Sequence, residues 1–364
     1  MQEGRIGCQE SAAMAGLSAA AKVLFVQFEQ WGRGGVLWQT VLGSALCTLA
    51  LFFAAAYLLR RTGAKNLFDA FDQLLGRRGG GLCKLALCAA QGVGMVLVTH
   101  SFCTALKRYS MVNTSVWFIL ALLLGAALPA AWMGLEIVGR QAKILLGFFV
   151  LAAAVAVLGA SWSYEGYRLY PLLGEGGSKI AANSLGASYL WVDILLLPSF
   201  GKAVGGGKNA KRSALFALAL AAAVGLLSAL GLALALPFEV RDHTLGNMHR
   251  LASMLSGQGT LRQLGEFLIY LWFAGVIGAL SFSLYSCARS YCAAFGIGST
   301  RRVLPAVAVL LFYTVLLLEE DLPALSSAAE PVSRYASLLA VLPLLFGVAA
   351  AWIRRNKTHD AKTI

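Results

Sequence analysis

Residues 36–59 read VLWQTVLGSALCTLALFFAAAYLL, an apolar stretch without a single charge. A helix needs about 20 predominantly apolar residues to cross a bilayer, so this stretch is long enough alone. Comparable runs lie on both sides of it, at residues 82–106, 115–132, 136–160, 213–236, 261–294, 303–318 and 333–353. Two weaker segments, 9–28 and 183–200, bring the expected set to ten. Lipid offers no partner to a free backbone N–H or C=O, so spanning segments are helices or a closed barrel. The runs here are continuous rather than ten-residue alternations, which excludes the barrel. The expected fold class is an all-α polytopic membrane protein with about ten transmembrane helices.

Composition agrees. Hydrophobic residues make up 59% of the 364 residues and charged residues 13%, against roughly 25% charged in a soluble domain. The net charge of +13 is spread over short loops, which argues for loops facing an anionic leaflet and against a nucleic-acid surface. With the N-terminus inside, the inner segments hold twenty Lys and Arg and the outer ones nine. That asymmetry predicts both ends in the cytoplasm. The N-terminus carries acidic as well as basic residues, and no cleavable leader is evident. The seven cysteines form no C-x-x-C pair, and most lie inside apolar runs, where they act as small hydrophobes. No G-x-S-x-G, H-E-x-x-H or G-x-x-x-x-G-K-[ST] motif occurs, so the reading assigns no catalytic residue, metal or cofactor and no enzyme activity. The whole chain, 1–364, is expected to form one transmembrane domain. Its two halves would cover about 9–160 and 183–353, followed by a basic tail at 354–364. Residues 66–75 are amphipathic and read as a short helix along the inner surface.

The two weak segments open the two five-span halves. The first contains Ser11, Gly16, Ser18, Lys22 and Gln27; the second opens Asn183-Ser184-Leu185-Gly186-Ala187-Ser188 and carries Asp193. In transporters built from inverted repeats, such paired helices break at the midplane and their freed backbone groups hold the ligand. The expected site is therefore backbone at Gly16, Leu17, Ser18 and Ala19, and at Gly186, Ala187 and Ser188. The alternative is that these small residues serve close helix packing. Ionisable residues inside a span are costly and usually functional. Asp193 would meet a substrate amine or coupling cation, or a neighbouring helix. Lys22 would either snorkel to the interface or set its ammonium in a cation site, making transport sodium-independent. Thr99, His100 and Tyr189 would line the pocket. Glu136 and Arg140, at i and i+4, form a structural ion pair. The longest outer segment, 237–260, carries His243, Asn247, His249 and Arg250.

Several local patterns together resemble the spore germination permeases, the B-type subunits of nutrient germinant receptors within the amino acid–polyamine–organocation transporter superfamily. Lys65-Asn66-Leu67 followed by Leu75-Gly76 resembles that family's K-N-L…L-G, and Gly134-x-Glu136-x-x-x-Arg140 its G-x-E-x-x-x-R. Pro171-Leu172-Leu173-x-x-Gly176, Arg250-Leu251-x-Ser253 and Trp272-x-x-Gly275 are similar to its L-P-x-L-x-x-G, A-R-x-I-S and W-x-x-G segments. Val192-Asp193-Ile194 stands where the family commonly has Gly-Glu-Leu, and the acidic pair expected before span eight is replaced by Arg262-Gln263 with Glu266 beyond. The resemblance implies a leucine-transporter-like 5 + 5 inverted repeat with helices one and six broken. It also implies a small nutrient, typically an amino acid, between spans one, three, six and eight. The implied partners are an A-type membrane subunit and a lipid-anchored C-type subunit in the inner spore membrane. An ion-coupled secondary transporter of amino acids or amines would share the same fold.

Overall fold

The computed structural model describes residues 6–28, 37–174, 176–201, 203–237, 246–257, 262–320 and 322–360. Among these the regular structure is entirely helical. Helix α1, Cys8–Lys22, runs on directly as a π-helix, Val23–Gln27. Helices α2 (Leu37–Thr62), α3 (Leu67–Tyr109), α4 (Val116–Met133) and α5 (Leu135–Gly159) follow. Next come α6 (Gly177–Gly186) and α7 (Val192–Leu196), with 3₁₀ turns at Ser188–Trp191 and Leu197–Phe200. The chain continues through α8 (Gly207–Ala235), the short α9 (Asn247–Ser253), α10 (Arg262–Phe295), α11 (Thr300–Glu320) and α12 (Leu322–Asp360). His243 and much of the segment before α10 lie outside the described residues.

Eight helices are long and apolar enough to cross a bilayer, and α6 with residues 188–200 makes a ninth, bent by 41°. The chain is thus a multi-pass helical membrane protein. α1 falls outside that count, and its surroundings explain its weak apolarity. Every residue from 11 to 22 is buried, with α5, α8 and α10 packed around it. A helix shielded from lipid needs no apolar surface, and its alanines let the neighbouring backbones approach closely. Large apolar side chains are exposed instead on the outer helices, among them Leu46, Phe118, Leu151, Leu310 and Phe346. This is the surface that acyl chains cover.

The stretch 66–75 does form a separate helical segment. Asn66 caps it, its Oδ1 accepting from the Asp69 N–H at 2.7 Å. Gly76, at φ 75°, then breaks the helix in a conformation costly for any residue with a Cβ. Leu67, Phe68, Phe71 and Leu74 turn inward, and Lys84 reaches back across the kink to Asp72 at 2.6 Å.

Candidate functional site

One buried polar cluster joins four helices. Lys22 closes the α-helical part of α1, and its Nζ lies 2.5 Å from Asp193 Oδ2 on α7, both side chains essentially without exposure. Gln91 of α3 completes the arrangement. Its Oε1 accepts from Lys22 Nζ at 3.3 Å, and its Nε2 donates to Asp193 Oδ1 at 2.6 Å and to Ser286 Oγ of α10 at 3.0 Å. Gly94, one turn on from Gln91, lies against the Lys22 side chain, where a Cβ would meet the Lys22 Nζ at an ordinary contact distance of 3.5 Å. Both carboxylate oxygens are satisfied and the two charges cancel. Losing either charge would strand its partner, at about 3–5 kcal/mol. Lys22 therefore does not snorkel; the carboxylate across the bundle holds it inward.

The bend in the sixth span is internally capped. α6 ends at Gly186, whose C=O accepts from Ser337 Oγ of α12 at 2.6 Å. The same Oγ accepts from the Tyr189 N–H at 3.3 Å. One hydroxyl thus serves backbone groups on both sides of the break. Gly43 of α2 lets α6 come close, for a Cβ there would lie 2.1 Å from Ser184 Oγ. Ser44 then ties the two weak segments together, its Oγ accepting from Gln27 Nε2 at 3.3 Å and from Trp191 Nε1 at 3.1 Å.

The expected break at Gly16, Leu17, Ser18 and Ala19 does not occur. These residues stay α-helical, and the irregularity falls a turn later, in the π segment at 23–27. The small residues serve packing. A Cβ on Gly16 would meet the Ala217 Cα at 3.5 Å, and Ser18 Oγ lies 3.0 Å from Ser283 Oγ of α10. Thr99 returns its hydroxyl to the Met95 C=O of its own helix at 2.7 Å. His100 is buried roughly 13 Å beyond Gln91 along α3, and its Nε2 has no partner among the described residues. Ala187 and Ser188 are buried at the bend, and the Tyr189 hydroxyl shares a 3.3 Å hydrogen bond with Ser333. The Glu136–Arg140 pair closes at 2.5 Å, with side chains 42% and 63% exposed. Sequence reasoning missed Gln91, Ser286, Ser337 and Ser44. Their signal was an uncharged polar residue inside an apolar run, which is weaker than a charge.

Beyond the cluster, α1 runs into an aromatic collar. The Phe25 ring lies 5.1 Å from Phe102, 6.3 Å from Phe149 and 5.9 Å from Trp272, centroid to centroid. The short α9 inserts His249 into this collar, stacked on Tyr109 at 5.9 Å and edge-on to Trp272 at 5.9 Å. Asn247 anchors α9, its Nδ2 donating to the Phe28 C=O at 3.0 Å. Neither imidazole nitrogen of His249 nor the Trp272 Nε1 has a hydrogen-bond partner among the described residues. Burial alone pushes His249 down to about 3, so the seated ring is neutral.

The helical fold agrees with comparisons to known proteins. A family model described as "Spore germination protein" matches residues 20–322. A Na+-coupled sialic acid symporter superposes with a TM-score of 0.66 at 13% identity, over 94% of this chain and 79% of the symporter. The manganese transporter of Eremococcus coleocola gives 0.64 at 12% identity, over 94% and 78% of the two chains. Mhp1, a nucleobase-cation-symport-1 family transporter, gives 0.60 at 13% identity, over 100% and 94%. No curated protein matches the sequence. At these identities the structural likeness carries the fold, a leucine-transporter-like bundle.

Proposed function

The chain belongs to the spore germination permease family, and from that premise we propose that it is the nutrient-binding membrane subunit of a germinant receptor. The observation that carries this reading is the buried Lys22–Asp193 pair with Gln91 and Ser286. An amino acid brings one ammonium and one carboxylate. Its ammonium competes with Lys22 for Asp193, and its carboxylate takes the released Lys22. The bend at Gly186, Ala187, Ser188 and Tyr189 supplies adjacent backbone groups. Exchanging an internal ion pair for two external ones changes the contacts between α1 and α7. A ligand shifts the bundle by its differential affinity for the two arrangements. The shift passes to A-type and C-type subunits in the inner spore membrane. Both chain ends face the cytoplasm, and ten spans form one domain of two inverted five-span halves.

The test is ligand-induced thermal stabilisation of the purified chain across amino acids, nucleosides and sugars, beside Asp193→Asn. A ligand that binds the native state alone raises the melting temperature. An amino acid that stabilises the native chain and loses its effect in the variant is the expected result. A nucleoside or sugar hit that is indifferent to Asp193→Asn overturns the reading.

A second reading is secondary transport of amino acids or amines. Lys22 favours a proton over sodium as the coupling ion here, because its ammonium already occupies the position facing Asp193. Concentrative uptake into vesicles by the chain alone, driven by a pH gradient and indifferent to sodium, is the result that selects it.

A further inference from the structure

A cavity of about 720 Å³ opens where the end of α2 meets the start of α8. Phe52, Leu59 and Pro198 form an apolar wall, and Arg60, Lys65, Lys208 and Lys211 form its charged lining. No carboxylate lines it, and none of these four cations enters an ion pair among the described residues. Arg60, Lys65 and Lys208 are exposed. Lys211 Nζ lies 5.8 Å from the Phe53 ring centroid, and that ring faces outward, half exposed. Backbone contacts hold the segment after α2 against the segment before α8. Gly201 packs so tightly on the Lys65 carbonyl that a Cβ there would fall 2.7 Å from its oxygen. The Gly206 N–H donates to the Gly201 C=O at 2.9 Å.

The first turn of α8 adds to this field. Its first intrahelical bond runs from the Ala210 N–H to the Gly206 C=O at 3.1 Å. The preceding N–H groups have no acceptor within the helix and form its positive end. Four like charges lining one cavity repel each other, and an anion with several acceptor oxygens can be met by more than one of them at once. A phosphate, multiply coordinated by cations and N–H groups, matches the site. Basic pockets of this kind between spanning helices suit anionic headgroups. Lys211 links the cavity to the exposed Phe53 ring, and an acyl chain would run along that outward face.

We propose that this cavity binds a phosphate group, carried by an anionic phospholipid headgroup or present as free phosphate. It shares no residue with the Lys22–Asp193 cluster, so it stands whether or not the nutrient reading does. The experiment measures melting of the full chain in neutral detergent with added phosphatidylglycerol, with phosphatidylcholine at equal mole fraction, or with inorganic phosphate. It is repeated on Lys65→Gln/Lys208→Gln and on the charge-matched Arg77→Gln/Arg78→Gln, which lies outside the cavity.

Stabilisation by phosphatidylglycerol and not phosphatidylcholine, weakened in the cavity variant alone, is the result expected for a headgroup. Each membrane-proximal cation contributes a factor of about five, so the half-saturating lipid fraction should rise roughly 25-fold. Stabilisation by inorganic phosphate, lost in the same variant, supports the same site with free phosphate as its source. Equal responses of the two double variants, or no response of the native chain to either phosphate compound, overturns the proposal. Should the double variant melt early without ligand, Arg60→Gln alone is read by the same criteria.

Discussion

The first and sixth spans look alike in sequence, both short of apolar residues and rich in small ones, yet only one of them bends in its middle. α1 passes straight through Gly16, Leu17, Ser18 and Ala19, whereas the sixth span turns by 41° around Ala187. The difference lies in what stands opposite. Ser337 faces the bend and satisfies the backbone on both sides of it. Opposite Gly16 stands the backbone of α8, whose helical peptide groups are engaged in their own helix and which allows close packing. A weak span therefore need not face lipid: α1 is buried throughout residues 11–22 and the sixth span from Gly186 onward. A break needs, in addition, a partner for each peptide group it frees.

The comparison breaks most severely if the cluster where the two spans meet is disrupted. Lys22→Met or Asp193→Asn strands or halves a buried pair and should destabilise the chain by about 3–5 kcal/mol in a melting or denaturant titration. Next in size is Ser337→Ala, which removes the hydroxyl that bonds the Gly186 C=O and the Tyr189 N–H and should cost about 1–3 kcal/mol. Gly16→Ala sharpens the contrast from the other side. Its Cβ would find ordinary contact distances, and alanine favours a helix over glycine by about 1 kcal/mol. Stability should hold or rise, whereas a break at Gly16 would make the same change harmful.

The seat of α9 on the end of α1 gives a pH-dependent comparison. His249 is held near 3 against an ordinary 6.5, so the seated form binds fewer protons than the unseated one. Its stability is intact above pH 6.5 and falls below that, by about 1.4 kcal/mol per pH unit. Melting temperatures measured between pH 7.5 and 5.5 should drop in the native chain. His249→Phe should flatten that drop and lift the value at neutral pH. The smallest effect belongs to Glu136→Gln. Its pair with Arg140 is largely solvated and should shift stability by less than about 0.5 kcal/mol.

The helical membrane fold was legible because lipid-facing spans must be apolar throughout, and runs such as 36–59 and 213–236 admit no other use. The bend was legible from Gly186, Ala187 and Ser188, and Asp193 from the cost of a charge in a span. The π segment at 23–27 was not. Val23-Leu24-Phe25-Val26 has the composition of any apolar helix, and only the neighbours that hold Lys22 and Gln27 decide its winding. Gln91 and Ser286 escaped notice because a neutral polar side chain in a span commonly bonds to its own helix, as Thr99 does here. Which residues reach across the bundle depends on rotation and kink, and the kink at Gly76 is set by one glycine far from the cluster.

The two weak spans are fastened to each other through Lys22 and Asp193. A double-mutant cycle on melting stability, using Lys22→Met, Asp193→Leu and the pair together, tests it most directly. Each single variant should be strongly destabilised and the double variant should recover most of the loss, because no charge is then left unpaired. Losses that simply add would contradict it, showing that the two side chains do not share one buried pair.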